Sequence, residues 1–364
     1  MTISLLDLPV MIMCFILSIV MMIHIVRTWK KENKDIYKKI NEIVTCLLLI
    51  SLGLYYPLFT LKFGGNLPGI VYPTLRDELS ILGIIGIVVV MLGICVWGLS
   101  AKYRTIKHPE LLEDVNNYDV FCERLEREYK LVLKRKITHI LPFGVIGGLI
   151  VIFAILQFIP IFSDKWQNYA LFFIVILGMD FALTFLLGDL IRLFDFSYMP
   201  PLAGELFSKG LTPDELDTFA STSIMVFGFA PFLLLEFPFF LIIALITSIG
   251  DGMASIFGIF ATKKKFIHYF PKGSHKSIEG YIGGFLFTFL SVLFGGLFSN
   301  VFHFSDPSIW SIDILIILGI VLSIVVTLID LVTSKKIQLC DNYLNPLICG
   351  LVAIICLIIL GVPF

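Results

Sequence analysis

The chain has 364 residues, of which 58% are hydrophobic and 15% are charged, and its formal net charge is -1. Soluble domains carry about 25% charged residues, so this composition excludes a water-soluble globule. The balanced charge also argues against nucleic acid as a partner, because phosphate binding needs an excess of exposed Lys and Arg.

The apolar residues fall in runs of about 20, the length at which a helix crosses the hydrocarbon core of a bilayer. No Lys or Arg precedes the first run, unlike in a secretory signal, so we predict a retained first span. The ten predicted spans lie at 8–26, 43–61, 79–100, 137–162, 169–191, 219–235, 238–260, 279–301, 310–332 and 344–363. Glu236 and Pro238 separate the sixth span from the seventh. The predicted fold class is an all-α, polytopic membrane helical bundle of about ten transmembrane helices.

The basic residues predict the orientation of this bundle. With both termini on the non-cytoplasmic side, all but Lys62, Arg76 and Lys165 of the 27 Lys and Arg residues are cytoplasmic. The cytoplasmic loop 101–136 mixes both signs, and its part from residue 110 onward predicts an amphipathic helix on the membrane surface. We therefore predict a multi-pass protein of the plasma membrane or the endoplasmic reticulum. Its residues 1–130 form a three-span extension, and 131–364 form a seven-span domain.

Asp251 lies inside the seventh predicted span, where an ionisable side chain costs at least about 2.5 kcal/mol and is a functional candidate by default. Gly250, Ala254 and Gly258 recur at intervals of four residues around it. Taken alone, this stripe of small residues favours close helix packing. For Asp251 the structural alternative is a satisfied hydrogen bond between helices.

A basic loop follows this span. It contains Lys263, Lys272 and Lys276 and leads into Ser277 and Glu279 at the start of the eighth span. A carboxylate can hold Mg²⁺, and such a loop supplies ammonium and backbone N–H groups for phosphates. Together with Asp251 it predicts a nucleotide site at the cytoplasmic interface. Topogenic charge or contact with anionic lipid is the alternative explanation of the lysines.

Three more polar clusters are predicted on the same side of the membrane. They are Arg135, Lys136 and His139 at the fourth span, Asp189 and Arg192 at the end of the fifth, and Asp341 and Asn342 at the tenth. Each has a local structural alternative, such as an intrahelical pair or an acidic helix cap. Their convergence on one face of the membrane predicts a shared site.

In this order the clusters resemble the motifs of the integral membrane CTP-dependent lipid kinases. This family includes dolichol kinase, phytol kinase and CTP-dependent diacylglycerol kinase, and it is similar to the phosphatidate cytidylyltransferases. The matching pieces are Arg135-Lys136-Ile137-Thr138-His139, Asp189-Leu190-Ile191-Arg192, Gly250-Asp251-Gly252-Met253-Ala254-Ser255 with Gly258, Lys276-Ser277-Ile278-Glu279-Gly280, and Asp341-Asn342 with Pro346. The likeness runs from about residue 130 to the end of the chain.

The sequence also departs from that family. The basic residues and second glycine that usually follow the glycine-aspartate helix directly are missing, and the lysines begin only at Lys263. The Pro-Gly-His-Gly-Gly signature of the cytidylyltransferases is absent from the sequence, which favours a kinase.

The resemblance implies Mg²⁺-assisted phosphorylation of a membrane lipid alcohol by CTP, with a polyprenol of the dolichol type as the favoured substrate and a link to lipid metabolism and glycosylation. The implied catalytic residues are Asp251, Lys276, Glu279 and His139. The implied metal ligands are Asp251, Asp189, Asp341 and Asn342. The implied nucleotide contacts are Gly250, Gly258, Ser277, Lys272, Lys263, Arg135, Lys136 and Arg192.

Several alternatives stay open at this stage. Diacylglycerol or phytol replaces the polyprenol in one, ATP replaces CTP in another, and a phosphatidate cytidylyltransferase is a third. A different class of function is an ion-coupled transporter, in which Asp251 and the interrupted helices around Pro231 and Pro238 bind an ion. Asp180, in the fifth span, is the residue that favours transport. The oligomeric state is open, with a homodimer as the candidate.

Overall fold

The computed structural model describes residues 4–29, 35–65, 73–110, 118–119, 121–123, 132–211, 218–219, 221–263, 268–271, 276–333 and 339–362. Helices account for most of these residues. The one β contact among them is an isolated antiparallel bridge between Tyr269 and Ser277. Eight helices in the described part of the chain are long and apolar enough to cross a membrane. The predicted all-α membrane bundle is confirmed.

The first half of the chain contains seven helices in the described ranges. They are α1 (Leu8–Thr28), α2 (Ile36–Gly65), α3 (Pro73–Gly83), α4 (Val90–Lys107), α5 (Val132–Leu156), α6 (Trp166–Phe194) and the short α7 (Pro201–Gly210). A π-helical turn, Ile84–Val89, joins α3 to α4, so the two form one continuous span.

The second half contains six helices in the described ranges. They are α8 (Ser221–Phe229), α9 (Phe237–Leu245), α10 (Asp251–Lys263), α11 (Ile278–Val301), α12 (Ile312–Thr333) and α13 (Asp341–Ile359). A second π-helical turn, Ile246–Gly250, joins α9 to α10 immediately before Asp251. As predicted, the helix is interrupted at Glu236, whose backbone is extended, and α9 begins at Phe237.

One of the ten predicted spans is shorter than the sequence suggested. The sixth is reduced to Ser223–Leu234, which is shorter than the roughly 20 residues that cross a bilayer. The fourth corresponds to α5, a helix of 25 residues that begins at Val132 and ends at Leu156. In the sixth span Pro231 has no N–H to donate, and α8 gives way to a 3-10 turn, Ala230–Leu234. Most of the amphipathic helix predicted from residue 110 onward lies outside the described residues.

The chain forms two compact units. The first comprises Met1–Thr138 and Asn168–Ile224, and the second comprises His139–Gln167 and Met225–Phe364. The units are interleaved along the chain, since α6 belongs to the first and most of α5 to the second. The predicted boundary between a three-span extension and a seven-span domain at residue 130 rests on motif content, and it stays a prediction.

A buried carboxylate organises the first unit. Asp7 is fully buried and accepts hydrogen bonds from Thr60 on α2 and Ser80 on α3, at 3.0 and 2.8 Å. The Arg76 guanidinium lies 3.5 Å from the same carboxylate. A charge in a span is tolerated when such partners satisfy it, so this network ties the N-terminal segment to two spans.

In the second unit α10 packs closely against α11. A Cβ atom on Gly284 would lie 3.1 Å from the Cβ of Ala254, and one on Gly250 would lie 2.7 Å from Thr288 Oγ1. Gly258 faces the Ser277 hydroxyl in the same way, at 3.4 Å. The predicted stripe of small residues is therefore a packing surface, and it brings the backbone around Asp251 against α11.

Candidate functional site

Three aspartates from three helices meet in the second unit. Asp251 begins α10, Asp330 lies in the last turn of α12, and Asp341 begins α13. One oxygen of each carboxylate lies within 4.8 Å of the others. Asp251 and Asp330 are buried, with 8% and 3% of their surface exposed, and Asp341 is partly buried. We refer to these three residues as the carboxylate cluster.

Lys276 brings the positive charge to this cluster. Its Nζ lies 2.5 Å from Asp330 Oδ1, and its side chain is 34% exposed. Burial by itself lowers the pKa of the Lys276 ammonium, but the carboxylates of Asp330, Asp341 and Asp251 outweigh burial and raise that pKa above its ordinary value. Lys276 therefore stays protonated at neutral pH.

The local sequence explains why each charge sits at a helix end. Asp341 occupies the first turn of α13, where the positive end of the helix dipole favours a carboxylate. Asp330 is in the last turn of α12, where the dipole disfavours it, and its ion pair with Lys276 offsets that cost. The cluster therefore combines the starts of α10 and α13 with the end of α12, and Asp251 lies inside the continuous span Phe237–Ala261.

The composition of the cluster suits a divalent cation. Three carboxylates and one ammonium give the group two net negative charges, and every carboxylate donor is an oxygen atom, the ligand that Mg²⁺ prefers. Mg²⁺ bonds of about 2.0–2.1 Å place opposite oxygens about 4.2 Å apart. The three carboxylate oxygens all lie within 4.8 Å of one another, which is close to that spacing.

Residues 268–271 are fastened to Lys276 and to the start of α11. The His268 ring lies 2.6 Å from Glu279 Oε1, and the His268 backbone N–H donates to Glu279 Oε2 at 3.2 Å. Two backbone hydrogen bonds, Phe270 N to Lys276 O and Ile278 N to His268 O, complete the pairing. Glu279 thus positions the segment that carries Lys276. Sequence reasoning counted Glu279 among the implied catalytic residues but did not identify His268 as its partner.

Ser277 has a structural role in this arrangement. It is the N-cap of α11, and its hydroxyl accepts a hydrogen bond from the backbone N–H of Gly280 at 3.1 Å. The N-terminus of a helix is a favourable place for an anion because its first N–H groups point outward along the axis. The neighbouring N–H groups of Ile278 and Tyr281 donate to the backbone oxygens of His268 and Ser277, so most of the first turn is satisfied within the protein.

The remaining predicted residues of the second unit fall into two groups. Gly250 and Gly258 lie at the packing surface with α11, and Asn342 is buried next to Asp341 in the first turn of α13. Lys272 lies outside the described residues, as do the side chains of Lys263 and His139. The predicted roles of these residues stay predictions.

Asp189 and Arg192 belong to the first unit, where they form a fully buried ion pair. Arg192 Nη2 lies 3.0 Å from Asp189 Oδ1 and also donates to the backbone oxygen of Thr218. This pairing is the intrahelical contact that the three-residue spacing allows. Their assignment to metal and nucleotide stays a prediction, as does that of Arg135 and Lys136, whose side chains are outside the described set.

Asp330 is the member of the cluster that sequence reasoning missed. The available signal was its position inside the ninth predicted span, because an ionisable residue in a span is a functional candidate by default. It belongs to none of the quoted motifs, and only the packing of α12 brings it to Asp341.

Comparison with known proteins adds no assignment. No family model matches this sequence, and no curated protein or solved structure shows significant similarity to it.

Proposed function

We propose that this protein is a lipid kinase that transfers the γ-phosphoryl group of CTP to a membrane lipid alcohol, with a polyprenol of the dolichol type as the favoured acceptor. The observation that supports this proposal is the meeting of Asp251, Asp330 and Asp341 with one another and of Asp330 with Lys276. A nucleotide dissolves in water and a long-chain alcohol in the bilayer, so their reaction needs a site at the boundary. We place that boundary on the cytoplasmic side, following the distribution of basic residues.

In the proposed reaction the alcohol oxygen attacks the γ-phosphorus. A new O–P bond forms, the bond from the γ-phosphorus to the oxygen bridging it to the β-phosphate breaks, and CDP leaves. Bound Mg²⁺ would neutralise charge on the phosphates, and Asp251, Asp330 and Asp341 are the residues that would hold it. Asn342 and Asp189 remain additional candidates.

The other residues of the site orient its parts and neutralise the charge on the phosphates. Lys276 stays protonated and offers its charge to the transferring phosphoryl group, which carries negative charge on its outer oxygens. The positive end of the α11 dipole, next to Lys276, also favours phosphate oxygens. Glu279 acts on the segment of Lys276 through His268, and His139 is the candidate acceptor for the hydroxyl proton.

The decisive experiment incubates the purified protein in nanodiscs with CTP labelled either at the γ- or at the α-phosphate. Geranylgeraniol, phytol, dioleoylglycerol and phosphatidate are supplied as acceptors, and ATP replaces CTP in parallel. The proposal expects γ-label on an alcohol and release of CDP. Transfer of α-label to phosphatidate with release of pyrophosphate would instead identify a cytidylyltransferase. Label on none of the lipids would reject both enzymes.

An ion-coupled transporter is the second candidate because of Asp180. This residue lies midway along α6, and its Oδ1 atom is buried with no hydrogen-bond partner among the described residues. Glu236, the other carboxylate that the transport hypothesis needs, accepts a hydrogen bond from Trp310 Nε1 at 2.9 Å and has a structural role. Proton or sodium flux in proteoliposomes that disappears in Asp180→Asn would favour transport.

A further inference from the structure

Most hydroxyl groups in the spans of the second unit are satisfied by their own helix. Each donates to the backbone oxygen four residues earlier, which is the usual solution where water is absent. The residues concerned are Thr247, Ser248, Ser291, Ser299, Thr327 and Thr333. A buried polar group without such a partner is therefore an exception in this unit.

Three buried polar groups in this unit depart from it. Thr288 Oγ1, Ser323 Oγ and Asn345 Oδ1 have no hydrogen-bond partner among the described residues. Thr288 and Ser323 are fully buried, and Asn345 is 2% exposed. An unsatisfied buried polar atom costs about 1–3 kcal/mol, so a sequence that keeps three of them is keeping them for a partner.

The exceptions lie beside the carboxylate cluster. Thr288 on α11 faces Gly250, the residue before Asp251, and a Cβ atom there would lie 2.7 Å from the threonine Oγ1. Asn345 follows Asp341 by one turn on the same face of α13, which places it about 6 Å further along the helix axis. Asn345 therefore lies one turn from the cluster, on the face of α13 that carries Asp341.

Both positions lie inside spans, next to members of the cluster. Asp341 begins its span and Asn345 lies within it, while Thr288 is ten residues into α11. Ser323 continues the polar face of α12, because it precedes Asp330 by two turns. The charged cluster is therefore accompanied, within the spans, by polar groups that are neutral.

We infer that Asn345 and Thr288 bind the hydroxyl group of the acceptor alcohol. This inference rests on the proposed function. A neutral hydroxyl needs one acceptor and one donor, which are the Asn345 Oδ1 atom and the Thr288 hydroxyl. Carboxylates would instead hold a cation. Such a subsite orients a primary alcohol toward the cluster while its tail extends between helices into the bilayer, and it favours acceptors with a single terminal hydroxyl.

The test measures binding of tritiated geranylgeraniol without nucleotide, and steady-state kinetics with CTP. The variants are Thr288→Val and Asn345→Leu, which remove the polar atoms with little change of volume. The matched control is Thr327→Val, because that hydroxyl is satisfied by the Ser323 carbonyl in its own helix. We expect the two variants to weaken alcohol binding and raise its KM about tenfold or more, with the KM for CTP unchanged, as in the control.

Thermal unfolding separates ligand binding from a structural role. Removing an unpartnered buried polar atom is neutral or stabilising, so both variants are expected to unfold at or above the wild-type temperature in the absence of alcohol. Wild-type alcohol affinity in both variants would overturn the inference. Weaker binding that comes only with a lower unfolding temperature would overturn it too.

The same measurements keep this inference distinct from the proposed function. If the wild-type protein binds geranylgeraniol but phosphorylates no alcohol, the kinase proposal fails, while loss of binding in both variants would still support the hydroxyl subsite. If the wild-type protein is an active kinase and the variants behave like Thr327→Val, the subsite fails and the kinase stands.

Discussion

Lys276 and Asp330 are 54 positions apart in the chain, and their charged groups lie 2.5 Å from each other. The contact fastens the segment before α11 to the end of α12. It also places a permanent positive charge at the edge of three carboxylates, because those carboxylates raise the pKa of the lysine. The pair therefore contributes both to stability and to the electrostatics of the proposed phosphate site.

These two contributions are separable by mutation. Lys276→Ala leaves Asp330 buried without its cation, and we expect a loss of about 2 kcal/mol in unfolding free energy, less than the 3–5 kcal/mol of a fully buried pair because the lysine is 34% exposed. The double variant, Lys276→Ala with Asp330→Asn, should regain this stability, but its rate of phosphoryl transfer should stay about 100-fold below that of the wild type. Thermal unfolding and γ-label transfer measure the two effects. Asp313→Asn, on the exposed first turn of α12, is the control, and additive stability losses would contradict the pairing.

A metal site at the carboxylate cluster predicts stabilisation by Mg²⁺. At a free concentration 100 times its dissociation constant, a ligand bound only by the folded protein adds about 2.7 kcal/mol. We expect the unfolding temperature to rise with MgCl₂, to return with EDTA, and to be insensitive to matched KCl. Asp251→Asn and Asp330→Asn should each abolish most of the shift. An equal shift in both variants would place the ion elsewhere.

The contact between His268 and Glu279 predicts matching phenotypes. If Glu279 acts by holding the segment of Lys276, His268→Ala and Glu279→Gln should lower kcat by similar factors, about tenfold, and the double variant should be no worse. His108→Ala provides the control, since His108 forms a similar pair with Glu110 on the exposed surface of the first unit. A much larger loss in Glu279→Gln than in His268→Ala would show that Glu279 contacts the metal or the substrate.

Two neighbouring glycines should respond differently to the same substitution. A Cβ atom on Gly250 would lie 2.7 Å from Thr288 Oγ1, whereas one on Gly252 meets nothing within 4 Å. We expect Gly250→Ala to destabilise the protein by about 1–3 kcal/mol through overpacking against α11, and Gly252→Ala to be close to neutral. Thermal unfolding of both variants measures this, and equal losses would disprove the close approach of the helices.

The residues of the site differ in how far a sequence could identify them. Asp251 was conspicuous because a charge inside an apolar run is costly and therefore rare. Lys276 and Asp341 were found through spacing and resemblance. Asp330 has the same intrinsic signal as Asp251 but belongs to no quoted motif, so its partnership with Lys276 was not foreseen. His268 offered no signal, since a lone histidine in a polar loop has many explanations.

The helices, too, differ in how far the sequence predicts them. Proline positions predicted the start of α9 correctly, because the missing N–H of a proline acts locally. The shortening of the sixth span and the two π-helical turns were not predicted from hydropathy. A π turn is an irregularity in one helix that its packing partners stabilise, and apolar periodicity does not report it.

The sequence alone determined that this is an all-helical membrane protein and where most of its spans lie. Those properties follow from the cost of placing each residue in hydrocarbon, which depends on composition within about 20 neighbouring residues. Tertiary structure alone decided that Asp251, Asp330 and Asp341 share one site with Lys276. That meeting depends on which helix faces pack, as Gly250 does against Thr288, and contacts between distant helices are not encoded in local hydropathy.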